Sequence, residues 1–271
     1  MMKSLLVLPL VLVAVVSSAQ FKPSKSDQVK LGQRAADDIR KHEKIVADSD
    51  QRVKLMRRVG AKLIGKLPDE EQKRWHFSFD IIDSKELNAF ALPGGPIFFF
   101  TGLFDKFQTE DQLAGVLGHE LTHIRKEHWA SAYNDNQKRR LGLSLILILT
   151  KAGRTVSDIA NIGDDLIFGL PYSRKHETEA DDIGVDLVSA SGYNPQGMAD
   201  VFAMLKASSK GKPPELLATH PDDGKRIGRI QDKIKKMNRM FPAQKPLPWP
   251  AKTEIPKVLA ALQPILLATY R

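Results

Sequence analysis

The sequence of 271 residues contains no cysteine. Disulfide bonds are therefore excluded, and so is lipid attachment to a cysteine after the N-terminal apolar run. The chain could therefore work in an oxidising compartment, but it would form no disulfide bonds there. Stability must come from the packing of side chains, with a further contribution from a metal ion if the chain binds one.

Long apolar segments and blocks of one charge are lacking as well. The apolar runs 5–16 and 141–149 are both shorter than the roughly 20 residues that cross a bilayer. The second run favours a buried core helix, with membrane contact as the alternative. The formal charge of +9 is spread over many segments, which indicates solvated helix faces. We therefore expect no nucleic-acid partner, and keep peripheral contact with an anionic membrane as an alternative.

The first residues have the pattern of a secretory signal peptide. Lys3 is followed by the apolar run 5–16 and then by small residues up to Ala19. We predict a signal peptide over residues 1–19 that is cleaved near Ala19. The mature chain is then expected to be exported, with the periplasm as its compartment.

The segment from His119 to His123 reads His-Glu-Leu-Thr-His. Two histidines four apart lie on one face of a helix, where both rings reach one metal ion. Glu120 would lie beside that ion, placed to take a proton from water. Thr109 and Gln112 form a capping box that starts the helix. An apolar stripe on the far side would pack while the histidines face a cleft: Leu113, Leu117, Leu121 and Ile124.

Two histidines do not complete a catalytic zinc site, which usually has three protein ligands and one open position. A third histidine in the metzincin pattern is excluded because Trp129 and Lys126 occupy the required positions. His128 is expected on the same helix, pointing about 180° from His119, which predicts a surface or core role. The third ligand is therefore expected from another helix.

The predicted helix 173–191 offers acidic residues for that purpose. Glu177 and Asp181 fall within the small and apolar stripe that should face the core, whereas Glu179 lies on the solvated side. Buried carboxylates need a cation or strong donors. We predict Glu177 as the third ligand and Asp181 as the acceptor of a metal-bound histidine's free N–H. An ion pair from either residue to Arg174 is the alternative.

Upstream of these motifs the sequence predicts helices and a small sheet. Residues 27–66 read as two amphipathic helices with a break near 48–50, and 68–73 as a polar loop. Alternation over 75–81 predicts a strand with one buried face. Two short strands, 88–92 and 97–101, surround a Pro-Gly-Gly-Pro turn. The first could be an edge strand that holds an extended peptide, or part of a plain structural hairpin.

Downstream, the sequence predicts a helix from Asn194 to about Ser208, followed after Pro221 by a helix with one basic face. Residues 153–169 could form a loop or lid. From Phe241 onward, prolines predict a stiff extended linker, followed by the apolar tail 258–270. We therefore expect a domain over residues 20–240 and a linker with tail over 241–271.

Four motifs, in this order along the chain, resemble the HtpX/CaaX-prenyl-protease (Ste-type) family of zinc metalloendopeptidases, most of all its soluble exported BepA-like and Oma-type branch. They are 88–96, 119–123, 172–181 and 219–221. The resemblance implies a predominantly helical α+β zincin (gluzincin) domain with a small sheet and one Zn²⁺ per chain. It implies His119, His123 and Glu177 as ligands, Glu120 as catalytic base, and a substrate-binding edge strand that includes Asn88, Ala89 and Phe90.

His220 is a further catalytic candidate with two possible roles. It could donate a hydrogen bond to the oxyanion, or occupy the open metal position at rest and hold the enzyme inactive. The alternative is a helix-start residue before Pro221. Arg226 and Tyr172 are weaker candidate donors.

The sequence thus predicts a zinc endopeptidase for unfolded or misfolded proteins. The resemblance further suggests quality control in the cell envelope, with envelope or outer-membrane proteins as partners. One alternative is a zinc-stabilised chaperone or binding protein with little cleavage, although the presence of Glu120 argues against it. Another is a membrane-surface adaptor.

Overall fold

A computed structural model describes residues 22–136, 172–208, 213–221 and 224–249. The predicted signal peptide 1–19, the apolar run 141–149, the segment 153–169 and the tail 258–270 lie outside these residues. Among the helices that are described, none combines the length and apolar character needed to cross a membrane. The architecture is the predicted one, mostly helical with a small sheet.

Three helices precede the sheet. The two predicted amphipathic helices are confirmed as α1 (Lys25–His42) and α2 (Gln51–Ile64), and Asp50 caps α2 at the predicted break. The prediction of a loop over 68–73 was wrong, because α3 occupies Asp69–Arg74. Its first turn is acidic and its last turn is basic, an arrangement that complements the helix dipole.

The sheet contains β1 (Ser78–Ile82), β2 (Ala89–Ala91) and β3 (Pro96–Phe100) in the order β1-β3-β2. β3 is parallel to β1 and antiparallel to β2, so the predicted hairpin is confirmed and β2 lies at an edge. A short helix, α4 (Thr101–Phe104), follows β3 directly.

β1 is buried on both faces, so the prediction of a single buried face was wrong. Phe79 packs beneath Gly60 of α2, which lies on one side of the strand. On the other side Asp80 is covered by Arg40 of α1, whose Nη2 lies 2.7 Å from the carboxylate. A polar residue can face inward here because its charge is paired.

The His-Glu-Leu-Thr-His motif lies on α5 (Glu110–Arg125), which begins with the predicted Thr109/Gln112 capping box. α5 packs most extensively against α6 (Arg174–Ala190) and α7 (Gln196–Ser208). Every residue from Glu110 to Ile124 is buried. The face that carries the histidines is covered as well, although His123 borders a small pocket beside β2.

α5 and α6 cross at two glycines. A Cβ atom on Gly118 would lie 2.8 Å from Val188 Cγ2 and 3.2 Å from the carbonyl oxygen of Gly184. Real Cβ atoms essentially never approach a heavy atom as closely as 2.8 Å, and a separation of 3.2 Å is tighter than most real contacts. The absence of both side chains brings the backbones together and thereby sets the separation between the histidines of α5 and the acids of α6.

The last described helices and the segment after them pack on the same domain. α8 (Glu215–Thr219) and α9 (Arg226–Lys236) follow α7. Residues 241–249 contain no helix and lie against the start of α5, with a bridge between Thr109 and Pro246. The N–H of Leu247 donates to Gln108, the carbonyl of Lys245 accepts from Glu110, and Trp249 stacks on Phe104.

We predict opposite effects of alanine at two helical glycines. Gly118→Ala should lower the free energy of unfolding by roughly 1–3 kcal/mol, because the helices must separate. Gly228→Ala on α9, where no atom lies within 4 Å of the new Cβ, should raise it by about 0.5–1 kcal/mol. Denaturant unfolding measures both values. Equal effects of the two substitutions would contradict this packing account.

Candidate metal centre

Four potential ligand atoms converge between α5, α6 and the end of α8. Nε2 of His119 lies 2.9 Å from Nε2 of His123 and 3.2 Å from Nδ1 of His220. The Glu177 carboxylate lies 3.4 Å from His119, 3.5 Å from His123 and 3.2 Å from His220. All four side chains are buried. The structure thus brings together the three predicted ligands and His220.

These separations suit a single small cation. Ligand atoms that lie 2.0–2.1 Å from a tetrahedral zinc ion are about 3.3 Å apart. Five of the six separations among the four groups are 2.9–3.5 Å, which bracket that value, and all four ligand atoms lie within 4.8 Å of one another. Without a cation several acceptor nitrogens and oxygens would face one another with few protons to share. The donor set therefore fits a metal ion.

Glu120 provides independent support for a cation. Its side chain is fully buried, and neither carboxylate oxygen has a hydrogen-bond partner among the described residues. Nε2 of His220 lies 3.6 Å from its Oε1. Burial raises the pKa of Glu120. A buried carboxylate without a donor is costly unless it faces a cation or a reacting group.

The buried charges also fit a divalent ion. Glu120, Glu177 and Asp181 are at most 3% exposed, and Arg226 is 1% exposed in the same cluster. Three ionised carboxylates and one guanidinium leave an excess of two negative charges, which a divalent cation would cancel. Without a metal, bound protons would cancel part of this negative charge. Burial and Arg226 lower the pKa of His119, but Asp181 and Glu177 outweigh them and raise it to about 9.

Asp181 lies where the sequence predicted it. Its Oδ1 is 3.0 Å from Nδ1 of His119, on the opposite side of the ring from the other ligands. The proposed alternative, an ion pair with Arg174, is not what the structure shows, because Arg174 is exposed. Arg226 takes that place, 2.7 Å from Asp181 and 3.1 Å from Glu177.

Arg226 thus lies behind the ligands as a partner of two carboxylates. Its guanidinium also stacks over Phe202, 3.7 Å from the ring centroid. A signal for this position exists in the sequence, since Arg226 occupies the same helical face as the buried Ile230. A basic residue on an apolar face requires an acidic partner.

The orientation predicted for His128 was wrong. α5 ends at Arg125, and Glu127 adopts a left-handed conformation with φ 55°, so the chain turns back. His128 is consequently buried, and its Nδ1 lies 2.9 Å from Nδ1 of His123. The turn contains neither glycine nor proline, so no sequence signal indicated it. Glu179 is partly exposed, as its predicted position on the helix suggested, and lies near His128.

Comparison with known proteins agrees with this geometry. The family model described as Peptidase family M48 matches residues 50–234, which include all four converging residues. The chain belongs to peptidase family M48. The resemblance seen in the motifs is thereby confirmed, and the zincin-like metallopeptidase fold is that of M48.

Several characterised M48 proteins are similar to the chain. The Beta-barrel assembly-enhancing protease of Escherichia coli (strain K12) is 30% identical over 173 residues, which are 60% of the chain and 36% of that protein. Mitochondrial metalloendopeptidase OMA1 of Arabidopsis thaliana is 34% identical over 146 residues, 54% and 29% of the two chains. Metalloprotease LoiP of Escherichia coli (strain K12) is 28% identical over 163 residues, 58% and 62%. The chain spans about a third of the length of the first of these.

The predicted substrate strand lies close to the M48 site. A small open pocket is bounded by Ala91 and Leu92 at the end of β2 and by His123 and Tyr172 on the other side. The Tyr172 ring stacks on His123 with centroids 4.0 Å apart, and burial raises the pKa of its hydroxyl. Asn88 is mostly buried, and its side-chain oxygen accepts the N–H of Ala89.

We predict that two glutamates of α6 differ in their effect on metal content. Glu177→Gln should abolish stoichiometric zinc, because an amide replaces the charged ligand. Glu179→Gln should retain it, since that carboxylate lies outside the cluster. Zinc per chain after dialysis, measured by atomic emission, distinguishes them. Loss of zinc in both variants, or in neither, would contradict the assignment of Glu177.

Proposed function

We propose that the protein is a zinc-dependent metalloendopeptidase in which His119, His123 and Glu177 hold one Zn²⁺. The observation that carries this proposal is Glu120, a fully buried carboxylate without a hydrogen-bond partner beside four converging ligand atoms. Membership of M48 supports the reaction class. A purely structural metal site has no use for such a carboxylate.

The residues divide the chemistry among them. Bound Zn²⁺ supplies a Lewis acid that polarises the scissile carbonyl and makes water more acidic. Glu120 removes a proton from the attacking water and delivers it to the leaving amine. Its raised pKa brings it closer to neutral pH, where a general base and acid is most effective. Asp181 accepts the Nδ1–H of His119 and so directs its Nε2 toward the metal.

We propose that His220 occupies the fourth ligand position at rest. Its Nδ1 lies 3.2 Å both from Nε2 of His119 and from Glu177, within the ligand set. Substrate and water would enter that position only after the ring has moved away. The other role, donation to the oxyanion, would use the same ring after this movement.

The proposed substrate-binding element is the outer edge of β2. Its inner edge pairs with β3, because Asn88 accepts from Phe100 and Leu92 donates to Pro96. In an antiparallel pair the alternate residues, Ala89 and Ala91, direct their main-chain groups outward. Ala89 is buried and its N–H is bonded to the Asn88 side chain, so Ala91 provides the accessible edge. An extended peptide can add there as a fourth strand, beside the pocket that reaches His123. Only an unfolded or misfolded protein offers a free strand of this kind.

The cellular role is proposed by analogy with relatives. One similar protein is named a Beta-barrel assembly-enhancing protease, which suggests envelope or outer-membrane proteins as substrates or partners. This fits residues 1–19 as a signal peptide and the periplasm as the site of action. The metallopeptidase domain is then 20–240, and residues 241–271 form an appended segment.

A zinc-stabilised chaperone or binding protein with little cleavage is the second candidate. The observation in its favour is that all four ligand groups are buried and that protein atoms fill every position. A closed set of four ligands is typical of structural zinc sites. The two functions differ in whether Glu120 acts on substrate.

We predict that Glu120→Gln separates metal binding from cleavage. The variant should bind one zinc per chain, since Glu120 is not in the ligand set, but should lower the rate of casein cleavage by about a hundred- to ten-thousandfold. General-base assistance of this kind contributes 10²–10⁴-fold. Release of fluorescent casein fragments measures the rate. Unchanged cleavage would contradict the peptidase mechanism, and absence of cleavage in the wild type would favour the binding protein.

We predict that proline in the edge strand weakens substrate binding. Ala91→Pro removes an outward N–H at an edge position, where proline is tolerated. It should reduce kcat/KM for an unfolded substrate roughly tenfold, the value of one or two hydrogen bonds. Ala91→Ser keeps the N–H and is the control. If both variants cleave like the wild type, β2 does not hold the substrate.

A further inference from the structure

His128 is a buried histidine to which the proposed mechanism assigns no part. It is 2% exposed, and its ring stacks on that of His176 with centroids 4.5 Å apart and an interplanar angle of 15°. Both ring nitrogens face a partner. Nδ1 lies 2.9 Å from Nδ1 of His123, and Nε2 lies 3.4 Å from Oε2 of Glu179. The ring thus joins His123 to a partly exposed carboxylate.

The positions of the protons follow from the chemistry of imidazole. When His123 binds a metal through Nε2, its single proton is on Nδ1, which becomes a donor. The nitrogen 2.9 Å away must then be an acceptor, so Nδ1 of His128 carries no proton. The proton of His128 is therefore on Nε2 and points to Glu179. The three groups thus form a chain of hydrogen bonds in which His123 donates to His128 and His128 donates to the Glu179 carboxylate.

The backbone adopts an unfavourable conformation to place this ring. Glu127, directly before His128, has φ 55°, a left-handed conformation that is unfavourable for a residue other than glycine. Its carboxylate accepts from Gln28 of α1 at 2.8 Å and pairs with Lys22 and Lys25. These contacts hold the turn that returns His128 to His123. Such conformations persist where the surrounding structure enforces them.

We propose that His128 is a positioning residue for the metal centre: it accepts the Nδ1–H of His123, is itself held by Glu179, and so fixes the ring that presents Nε2 to the metal. The proposal rests on the proposed function, because it takes His123 as a ligand. The two histidines of α5 are then supported differently. His119 is held by a buried carboxylate, Asp181. His123 is held by the imidazole of His128, which contacts the partly exposed carboxylate of Glu179.

Two substitutions of His128 separate hydrogen bonding from packing. His128→Leu fills the space without an acceptor and should weaken zinc binding about 10–100-fold, the usual effect of losing such a partner. His128→Asn places a carbonyl oxygen near the former Nδ1 and should keep affinity within about fivefold of the wild type. Zinc affinity of the full chain is measured by competition with a chromophoric chelator at constant pH. Equal losses in both variants, or no loss in His128→Leu, would overturn the proposal.

A second arm uses surface substitutions that leave the core intact. Glu179→Gln should weaken zinc binding about threefold, as expected for the loss of a partly exposed charge. It should have no further effect in the His128→Leu protein. Lys126→Gln is the matched control, because it removes the ion pair that Lys126 makes with Glu179 at 3.5 Å without touching His128. An equal effect of Glu179→Gln in both backgrounds would contradict the chain of hydrogen bonds.

The outcomes distinguish this proposal from the proposed function. If the wild type binds no zinc through His119, His123 and Glu177, the proposed function fails. If it binds zinc tightly and the His128 and Glu179 variants bind it equally well, only the positioning role fails.

Discussion

The structure depends on how three carboxylates are accommodated in a dry interior. Glu177 and Asp181 share Arg226, which fastens α9 to α6, while Glu120 has no donor within hydrogen-bond distance among the described residues. Loss of one partner of a buried ion pair typically costs about 3–5 kcal/mol. Such an arrangement is stable only when the remaining negative charge is balanced. A divalent ion among the four converging ligands would provide that balance, and the same ion would serve the proposed chemistry.

The surrounding scaffold determines the geometry of these groups. α5 is enclosed on all sides, and its contact with α6 through Gly118 and Gly184 fixes the distance between histidines and acids. The segment 241–249 covers the start of α5. At its other end the turn at Glu127 returns His128 to the rear of His123. Ligands on packed helices with ordered partners lose little freedom when a metal binds, which favours affinity.

Structural features that follow from local sequence patterns were predictable. Helical periodicity distinguished Glu177 and Asp181 from Glu179, and two short runs on either side of the Pro-Gly-Gly-Pro turn indicated the hairpin that places β2 at an edge. Features that depend on tertiary contacts were not predictable. The turn before His128 has no glycine or proline, α3 formed where a loop was expected, and burial of α5 on every side depends on helices far away in sequence. Arg226 had a signal, a charge on an apolar face, whose partner only the fold reveals.

The most direct test is X-ray absorption at the zinc edge of the zinc-loaded full chain. The account predicts four nitrogen or oxygen ligands at about 2.0–2.1 Å. Scattering from three imidazoles is expected in the wild type and from two in His220→Phe, because Nδ1 of His220 lies within the ligand set. A shell of six oxygens would contradict a site built from these residues. An unchanged number of imidazoles in His220→Phe would contradict the place of His220 in it.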